Sequence, residues 1–284
     1  MKFVTSKWEL AKMMDSRRSV KKNNLQLMLS DIGSAFSSWQ IWLLLGTGDI
    51  RQRYSRSKLG QFWITLSMAF FVITIGAVYA QLFKQPLQEF LPYLASNYVV
   101  WTLISGILVD CATVFIQAEH YLRQEPLPKT LFVMRSLVRN TINFAHNILI
   151  VPCVMIVMGV MPTWTWLLVP VGLLLILSAG FFATLMLGIL CTRFRDLPQV
   201  ITNLVQIAFF ITPVMWPAKY LRAEVYGVVE YNPFAAILNV AAEPMRGVVP
   251  SQWSYALTVG TIAVLAAISL PLFARFRARV VYWL

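Results

Sequence analysis

The chain has 284 residues, of which 58% are hydrophobic and only 13% are charged, and its mean hydropathy is +0.65. This usage is far more apolar than that of an ordinary soluble domain and indicates an integral membrane protein. The formal net charge of +12 would suit a nucleic-acid partner if the basic residues gathered on one folded face, but they lie between apolar segments. Nucleic acid is therefore excluded as a partner.

The first 31 residues carry seven Lys or Arg and no long apolar run. They predict a polar tail with one short helix around residues 7–14. A cleaved signal peptide needs an apolar core soon after its basic start, and this region lacks one. We therefore expect the amino terminus to stay in the cytoplasm.

Residues 34–50 predict an amphipathic helix, because Phe36, Trp39, Leu43 and Ile50 recur on one helical face. The uninterrupted apolar run among them is too short to span a bilayer. We expect this helix to lie in the cytoplasmic interface with tryptophan at headgroup level, rather than to form a buried core helix.

A basic approach to the membrane follows, because residues 48–63 read GDIRQRYSRSKLGQFW and lead into an uncharged apolar segment, 62–83. A helix of that length reaches about 33 Å, close to the thickness of a bilayer's hydrocarbon core. Similar apolar segments recur to the end of the chain. The predicted spans are 62–83, 98–115, 142–161, 165–191, 200–216 and 255–273.

These patterns predict an all-α membrane protein with three parts: a cytoplasmic polar tail (1–33), an interfacial helix with the approach motif (34–61) and a six-helix transmembrane domain (62–284). Lys and Arg number 20 on the side of the termini and 4 on the other side. The positive-inside rule then places both termini in the cytoplasm.

The long loop on the opposite side, 217–254, contains two short mixed segments, 219–230 and 233–246, which are separated by Asn232 and Pro233. Neither segment can cross a bilayer alone. We expect them to form a re-entrant or surface helical hairpin that caps the outer mouth, since irregular backbone at membrane depth needs shielding.

The chain lacks the usual signatures of an enzyme. It has no G-x-x-x-x-G-K-[ST] loop, no D-x-D, no H-E-x-x-H and no G-x-S-x-G. Its three cysteines, Cys111, Cys153 and Cys191, lie in apolar segments, where cysteine behaves as a small hydrophobe. We expect no catalytic residue, no metal site, no disulfide framework and no ATP hydrolysis by this chain.

Asp110 is the one carboxylate well inside a predicted span, and such an acid is a functional candidate because exposure to lipid is costly. The alternative, which we favour, is a structural acid that is protonated or hydrogen-bonded against a neighbouring helix or a dimer partner. Asn140, Asn143 and Asn147 form a polar face in the third span, which suits either helix–helix hydrogen bonds or a wet pathway.

The predicted fifth span holds a polar and aromatic cluster, made of Asn203, Gln206, Phe209 and Phe210. Such a lining suits sugar rings, whose apolar faces stack on aromatic side chains, while lipid-facing phenylalanine is the alternative. The cytoplasmic loop 118–140 is short, charged and bounded by prolines. It suits docking of a soluble partner, although an ordinary solvated loop has the same composition.

Four stretches carry a family likeness: the approach motif at 48–63, LPYLASNYVVW at 91–101, FRDLPQVITNLVQIAFFITPVMW at 194–216 and NPFAAILNVAAEPMRG at 232–247. In this order and spacing they resemble the membrane-spanning permeases of ATP-driven, ABC-type polysaccharide exporters. That family moves O-antigen, capsule or teichoic acid chains. The resemblance covers roughly residues 35–284.

The resemblance implies a homodimeric channel in the bacterial inner membrane, paired with two copies of a separate ATPase subunit that binds ATP and magnesium. The substrate would be a lipid-linked polysaccharide, with O-antigen as the leading candidate. The implied sites are a substrate entrance (Arg51, Arg53, Tyr54, Arg56), an ATPase contact (Arg123, Glu125, Pro126, Lys129), an inner gate (Arg193, Arg195, Asp196) and an outer gate (Tyr231, Asn232, Pro233, Arg246).

Three alternatives stay open. The first is an ATPase-independent secondary transporter or flippase that uses Asp110 as a relay. The second is a membrane transferase acting on lipid-linked sugars, which would need an acid or base that this sequence hardly offers. The third is a drug or lipid exporter permease of the same architecture.

Overall fold

The computed structural model describes residues 23–218 and 222–284, together with the side chains of these ranges except at 223–226. The predicted short helix around residues 7–14 lies outside the described residues. Within them all regular structure is helical, which confirms the predicted all-α class.

The helices, in chain order, are α1 (Asn24–Ser37), α2 (Trp39–Tyr54), α3 (Phe62–Leu82), α4 (Leu87–Gln117), α5 (Glu119–Gln124), α6 (Lys129–Asn147), α7 (Ile150–Val157), α8 (Val169–Arg193), α9 (Leu197–Ile211), α10 (Ala223–Glu230), α11 (Pro233–Met245), α12 (Gln252–Phe276) and α13 (Val280–Trp283). A short 3-10 helix, Trp164–Leu168, leads into α8.

Five helical segments of the described chain are long and apolar enough to cross a membrane. They form an antiparallel bundle with α4 at its centre, packed on α3, α6, α8, α9 and α11. The five segments are Phe62–Leu82, Leu87–Gln124, Lys129–Val157, Trp164–Arg193 and Gln252–Phe276.

The predicted fifth span, 200–216, corresponds to α9, which has 15 residues and ends at Ile211. A helix of that length reaches only about 22 Å, less than the hydrocarbon core of a bilayer. Thr212 is extended because it precedes Pro213, and a residue before proline is driven out of the helical region. The described helices therefore provide five full-length spans rather than six.

Two predicted spans begin inside helices that start earlier in the chain. The second span was predicted from residue 98 but α4 begins at Leu87, and the third was predicted from 142 but α6 begins at Lys129. Pro92 and the charged residues of α6 predicted loops, yet both stretches are helical because their apolar faces are buried in the bundle. Tertiary packing overrides these local signals.

Helices α1 and α2 lie at the same end of the bundle as the carboxyl terminus. The Arg277 guanidinium of the segment after α12 donates to the Leu27 carbonyl oxygen of α1. Arg195, just after α8, donates to the Leu284 oxygen at 3.1 Å. We refer to this end as proximal and to the opposite end as distal.

The amino-terminal helical region is longer than predicted and is divided in two. Helix α1 begins at Asn24, inside the stretch assigned to the polar tail, and the chain turns at Ser38 before α2. Helix α1 buries Met28, Asp31 and Ala35, which recur on one face. Part of the predicted tail is thus packed structure.

Helices α8 and α11 approach each other closely at Gly172. A methyl group on this residue would overlap the carbonyl oxygen of Val240 and come within 2.8 Å of the Ala241 Cα atom. Both obstacles are backbone atoms, which cannot rotate away. The contact therefore depends on a residue without a side chain.

Gly172→Ala is expected to destabilise the chain by about 1–3 kcal/mol, the usual range for an overpacked core. The measurement is thermal unfolding of the purified chain in detergent, followed by size-exclusion chromatography. Gly260→Ala in α12 is the control, because open space surrounds that position. Equal melting temperatures for the two variants would contradict the close approach of α8 and α11.

Candidate functional site

The proximal half of the bundle holds a polar cavity of about 680 Å³ between α2, α3, α4 and α6. It is large enough for a small ligand or headgroup, since such sites usually span ~300–1,000 Å³. Its polar walls come mainly from α2, α4 and α6. Its polar lining residues are Asp49, Arg53, Tyr54, Ser67, Tyr98, Thr102, Asp110, Gln117, Arg139, Asn140, Asn143 and Asn147.

A network of four charged side chains lies beside this cavity, and three of them line it: Asp49, Asp110 and Arg139. Arg135 of α6 forms a two-pronged contact with Asp49 of α2, with its Nε and Nη2 atoms 2.9 and 2.6 Å from the two carboxylate oxygens. Arg139, one turn further on, bridges Asp49 at 3.3 Å and Asp110 of α4 at 2.8 Å. Asn140 Nδ2 donates to Asp110 at 2.6 Å. Two arginines and two aspartates thus join three helices.

The network gives Asp110 its partners. Its carboxylate lies seven residues before the end of α4, about 10 Å into the helix. The Asp110 side chain is 24% exposed and that of Arg139 is 18% exposed, so both keep some contact with the cavity. A charge at this depth is tolerable because it is paired and hydrogen-bonded. This pairing favours a structural role for Asp110.

The predicted polar face of the third span lies on α6. Asn140, Asn143 and Asn147 all line the cavity, and Asn140 also donates to Asp110 of the charge network. His146 contacts the Ile142 carbonyl oxygen of its own helix at 2.8 Å, and the Thr65 hydroxyl donates to the His146 carbonyl at 3.1 Å. This face therefore provides both helix contacts and cavity wall.

Two of the four residues predicted for a substrate entrance line the proximal cavity, and two do not. Arg53 and Tyr54, at the end of α2, line the cavity. Arg51 and Arg56 are exposed and lie outside its lining. The cavity therefore presents one guanidinium, that of Arg53, in addition to Arg139 of the network.

The predicted ATPase-contact segment forms a short proximal projection. Arg123 pairs with Glu119 across one turn of α5 at 2.9 Å, and both side chains are exposed. Glu125 and Pro126 are also exposed, in the extended link between α5 and α6. These side chains are free to meet a soluble partner.

Asp31 connects this segment to α1. Its carboxylate accepts hydrogen bonds from the backbone N–H groups of Lys129 and Thr130 at 3.2 and 3.0 Å, and from the Thr130 hydroxyl at 2.8 Å. These are the first N–H groups of α6, which have no partner within the helix. Arg277 completes the junction at 3.3 Å from Asp31. Asp31 thus caps α6 although it belongs to α1. Its negative charge also stabilises the amino terminus of α6, where the helix dipole is positive.

The residues predicted for an inner gate lie beside the carboxyl terminus. Arg195 donates to the carbonyl oxygens of Trp283 and Leu284, each at 3.1 Å. The Arg193 guanidinium lies 5.6 Å from the centre of the Trp283 ring. Asp196 is exposed at the start of α9. Both arginines therefore contact the carboxyl-terminal helix α13.

The residues predicted to line a channel point in different directions from α9. Phe209 packs into the bundle, 5.7 Å from the Trp101 ring. Phe210 is 74% exposed, and Asn203 and Gln206 are also exposed. The polar pair of α9 therefore faces away from this chain's own core.

At the distal end, side chains of α4 form hydrogen bonds with the segment that follows α9. The Tyr93 hydroxyl lies 2.7 Å from the Pro213 carbonyl oxygen and 2.9 Å from that of Trp216. Asn97 Nδ2 also donates to the Pro213 carbonyl, at 3.1 Å. These contacts satisfy backbone groups that proline and the helix end leave unpaired.

The predicted outer-gate residues surround this segment. Asn232 is buried, donates to the Thr212 hydroxyl at 3.2 Å and caps α11, whose first residue is Pro233. Tyr231 is 66% exposed. The Arg246 guanidinium lies 4.8 Å from the centre of the Tyr93 ring. Asn232 and Arg246 are therefore integrated into the distal packing, whereas Tyr231 and Pro233 are exposed.

The family comparison settles the broad class of this bundle. The family model described as ABC-2 type transporter matches residues 40–245, more than two thirds of the chain. The chain belongs to the ABC-2 type transporter family. It is therefore a membrane subunit of a transporter rather than an enzyme in itself. The residues matched by the ABC-2 model include Asp49, Asp110 and both arginines of the network.

Three curated relatives share the name O-antigen export system permease protein RfbA. The one from Myxococcus xanthus is 24% identical over 176 residues, covering 62% of this chain and 68% of the relative. Two from Klebsiella pneumoniae are each 18% identical, over 204 and 243 residues. Their alignments cover 70% and 85% of this chain and 78% and 93% of the relatives. The ABC-2 chain is thus similar to O-antigen export permeases along most of its length.

Sequence reasoning missed several residues of this ABC-2 subunit. Arg135 and Arg139 continue the stripe of Asn143 and Asn147 at spacings of four, a pattern that would have predicted an earlier start for α6. Asp31 is the one acidic residue of α1 and lies between Met28 and Ala35 on its apolar face. That position was the available signal for a buried, partnered carboxylate.

Proposed function

We propose that this chain is the channel-forming membrane subunit of an ABC exporter that moves a lipid-linked polysaccharide, with O-antigen as the leading candidate. The observation that carries the proposal is the ABC-2 match combined with similarity to O-antigen export permeases. The polar proximal cavity in an otherwise apolar bundle supports it, because a phosphate-linked sugar needs a wet, cationic point of access.

The proposed assembly is a homodimer with two copies of a separate ATPase subunit in the bacterial inner membrane. We propose that α9 and the residues up to 217 make a sixth crossing, with α10 and α11 as a re-entrant hairpin. Both termini would then face the cytoplasm, as the distribution of Lys and Arg favours. The exposed polar face of α9 would meet the second copy.

The proposed coupling route begins at the exposed segment around Arg123 and Glu125. Closure of the ATPase subunits on ATP would displace this segment, and Asp31 ties it to α1 and to the first turn of α6. Helix α6 carries Arg135 and Arg139, whose partners lie on α2 and α4. A displacement of α6 would therefore change the shape of the proximal cavity. Such a shift requires only that one conformation bind the partner better than the other.

The test uses the purified chain, alone and co-expressed with an ATPase encoded beside it, in lipid vesicles with extracted lipid-linked glycan. We expect vanadate-sensitive ATP hydrolysis in the complex only, stimulated by the glycan, and loss of that stimulation in Glu125→Ala. If the chain forms no ATPase complex and moves the glycan under a proton gradient alone, the exporter proposal fails. Asp110, which borders the cavity, then becomes the candidate relay.

Arg53→Gln is expected to weaken glycan stimulation of ATP hydrolysis about tenfold, because a hydrogen bond to a charged group contributes roughly 1.5 kcal/mol or more. The matched control is Arg51→Gln on the same helix, which removes an equal charge outside the cavity. The readout is the glycan concentration that gives half-maximal stimulation. An unchanged value in Arg53→Gln removes this residue from the entrance.

A further inference from the structure

A second polar cavity, of about 400 Å³, lies at the distal end. It is enclosed by the start of α4, the segment after α9, the end of α10, helix α11 and the start of α12. Its lining shares no residue with that of the proximal cavity, although Asn97 of the distal cavity and Tyr98 of the proximal cavity are consecutive in α4. Consecutive residues point about 100° apart around a helix, so the two cavities lie on different sides of α4. The two cavities are therefore separate sites on one bundle.

Helix α11 turns a single polar face toward this cavity. Asn239, Glu243 and Arg246 follow one another at spacings of four and three, which aligns them on one side of a helix. The rest of α11 is apolar and mostly buried in the bundle. An amide, a carboxylate and a guanidinium are thus presented together from an otherwise apolar element.

Two buried polar atoms near the cavity lack partners. Asn97 is 2% exposed, and its Oδ1 atom has no hydrogen-bond partner among the described residues. The same holds for Nε of Arg246. An unsatisfied buried polar group costs about 1–3 kcal/mol, so the packing beside the cavity is not fully satisfied by the described residues.

The lining defines the chemistry that fits. The amide of Asn239, the carboxyl of Glu243 and the guanidinium of Arg246 offer both acceptors and donors, and a hydroxyl group can pair with either kind. An anion would pair only with the donors. It would also meet the carboxyl groups of Glu230 and Glu243, which line the same cavity. The arrangement therefore favours a neutral molecule with several hydroxyl groups.

Aromatic side chains complete the wall. Tyr93 and Trp253 both line the cavity. The Trp253 ring is held in place by its Nε1 hydrogen bond to the Glu230 carbonyl oxygen, at 3.0 Å, and by an edge contact with Tyr231 at 5.5 Å. Apolar ring faces beside fixed polar groups are the usual composition of a small-ligand site.

The Glu243 carboxyl can pair with a ligand hydroxyl. Burial raises the pKa of this carboxyl above the ordinary value, against the opposing effect of the Arg246 guanidinium. In either protonation state its oxygens accept a hydrogen bond from a hydroxyl group.

We propose that the distal cavity binds a neutral sugar unit of the exported polysaccharide. The identity of the ligand as exported glycan rests on the proposed function, whereas the capacity to bind a neutral sugar rests on the cavity alone. A sugar held here would contact α11, the second helix of the proposed hairpin, as the polymer leaves the membrane. Occupancy of the site would therefore signal to α11 that polymer is present at the distal end.

The test measures sugar binding by the full chain in lipid nanodiscs, without an ATPase, using saturation-transfer NMR. The probes are the methyl glycosides of glucose, galactose, mannose and N-acetylglucosamine, with glucuronic acid as the charged comparison. We expect at least one neutral probe to bind more tightly than glucuronic acid. Glu243→Gln and Asn239→Leu are each expected to weaken that binding about tenfold.

Asn143→Leu is the matched control, because it removes an amide from the proximal cavity instead. Loss of binding in this variant with retention in Asn239→Leu would move the sugar to the proximal cavity and overturn the proposal. Absence of neutral-sugar binding, or preference for glucuronic acid, would also overturn it. Glu243→Gln keeps the side-chain shape, so it still tests distal sugar binding if Asn239→Leu fails to fold.

The two proposals fail in distinguishable ways. If the ATPase complex exports glycan while the chain binds no neutral sugar distally, the distal site is wrong and the exporter function stands. If the chain binds a neutral sugar but forms no ATPase complex, the proposed function fails and the distal site remains.

Discussion

Arg139→Gln is expected to destabilise the chain by about 2–4 kcal/mol. Removing one member of a buried ion pair leaves the other charge unpaired and typically costs ~3–5 kcal/mol. The side chains of Arg139 and Asp110 are 18% and 24% exposed, which lowers this cost somewhat. Arg139 also holds Asp49, so the contact between α2 and α6 weakens as well.

The measurement is thermal and denaturant unfolding of the purified chain in lipid nanodiscs. The double variant with Arg139→Gln and Asp110→Asn should recover part of the loss, because no unpaired carboxylate remains at Asp110. Arg123→Gln is the matched control, since its exposed pair with Glu119 should contribute ~0–1 kcal/mol. A loss in Arg139→Gln no larger than in the control would contradict a structural network.

The same variants separate the two roles considered for Asp110. If Asp110→Asn folds normally and the ATPase complex still exports glycan, the carboxylate is structural. If it folds normally but transport under a proton gradient is lost, Asp110 is the relay of a secondary transporter. The network therefore makes the choice between these functions experimentally accessible.

Asp31→Ala is expected to open the first turn of α6, with amide exchange there about 30-fold faster. The carboxylate accepts three hydrogen bonds at the start of this helix, and loss of such a cap costs roughly 2 kcal/mol. The Arg277 guanidinium would lose its partner at the same junction. Hydrogen exchange of a peptide covering residues 129–134 measures the effect.

Asp31→Asn is expected to be intermediate, because the amide oxygen still accepts a hydrogen bond but the negative charge at the helix terminus is lost. Asp196→Ala provides the control, as its side chain is exposed. In the ATPase complex, Asp31→Ala should retain ATP hydrolysis but lose its stimulation by glycan. Exchange that is unchanged at residues 129–134 would show that α1 does not hold the coupling segment.

The sequence predicted the helical positions that depend on uninterrupted apolar runs. Phe62–Leu82 was predicted to within one residue, and the last span was contained within Gln252–Phe276. The helix boundaries predicted from the sequence were less accurate where charged residues or proline lie inside a helix, as in α4 and α6. A pattern rule reads Pro92 or Arg139 as a boundary, whereas packing against neighbouring helices retains both inside helices.

The predicted sites show the same division. Arg53, Tyr54 and Asp110 were selected from the sequence and line one cavity. The other members of the charge network were not selected from the sequence. Asp49 and Arg139, for example, are 90 residues apart, and no local pattern relates them. Asp31 and Arg277, 246 residues apart, are a still more distant pair.

Membrane character, helix positions and the asymmetric distribution of basic residues follow from composition along the chain, since insertion into a bilayer depends on the length of each apolar run and the charges beside it. The pairing of charges, the cap on α6 and the two polar cavities arise when helices pack. Each of these features needs side chains from elements far apart in sequence to meet within a few ångströms, and only the packing of the bundle determines which ones meet.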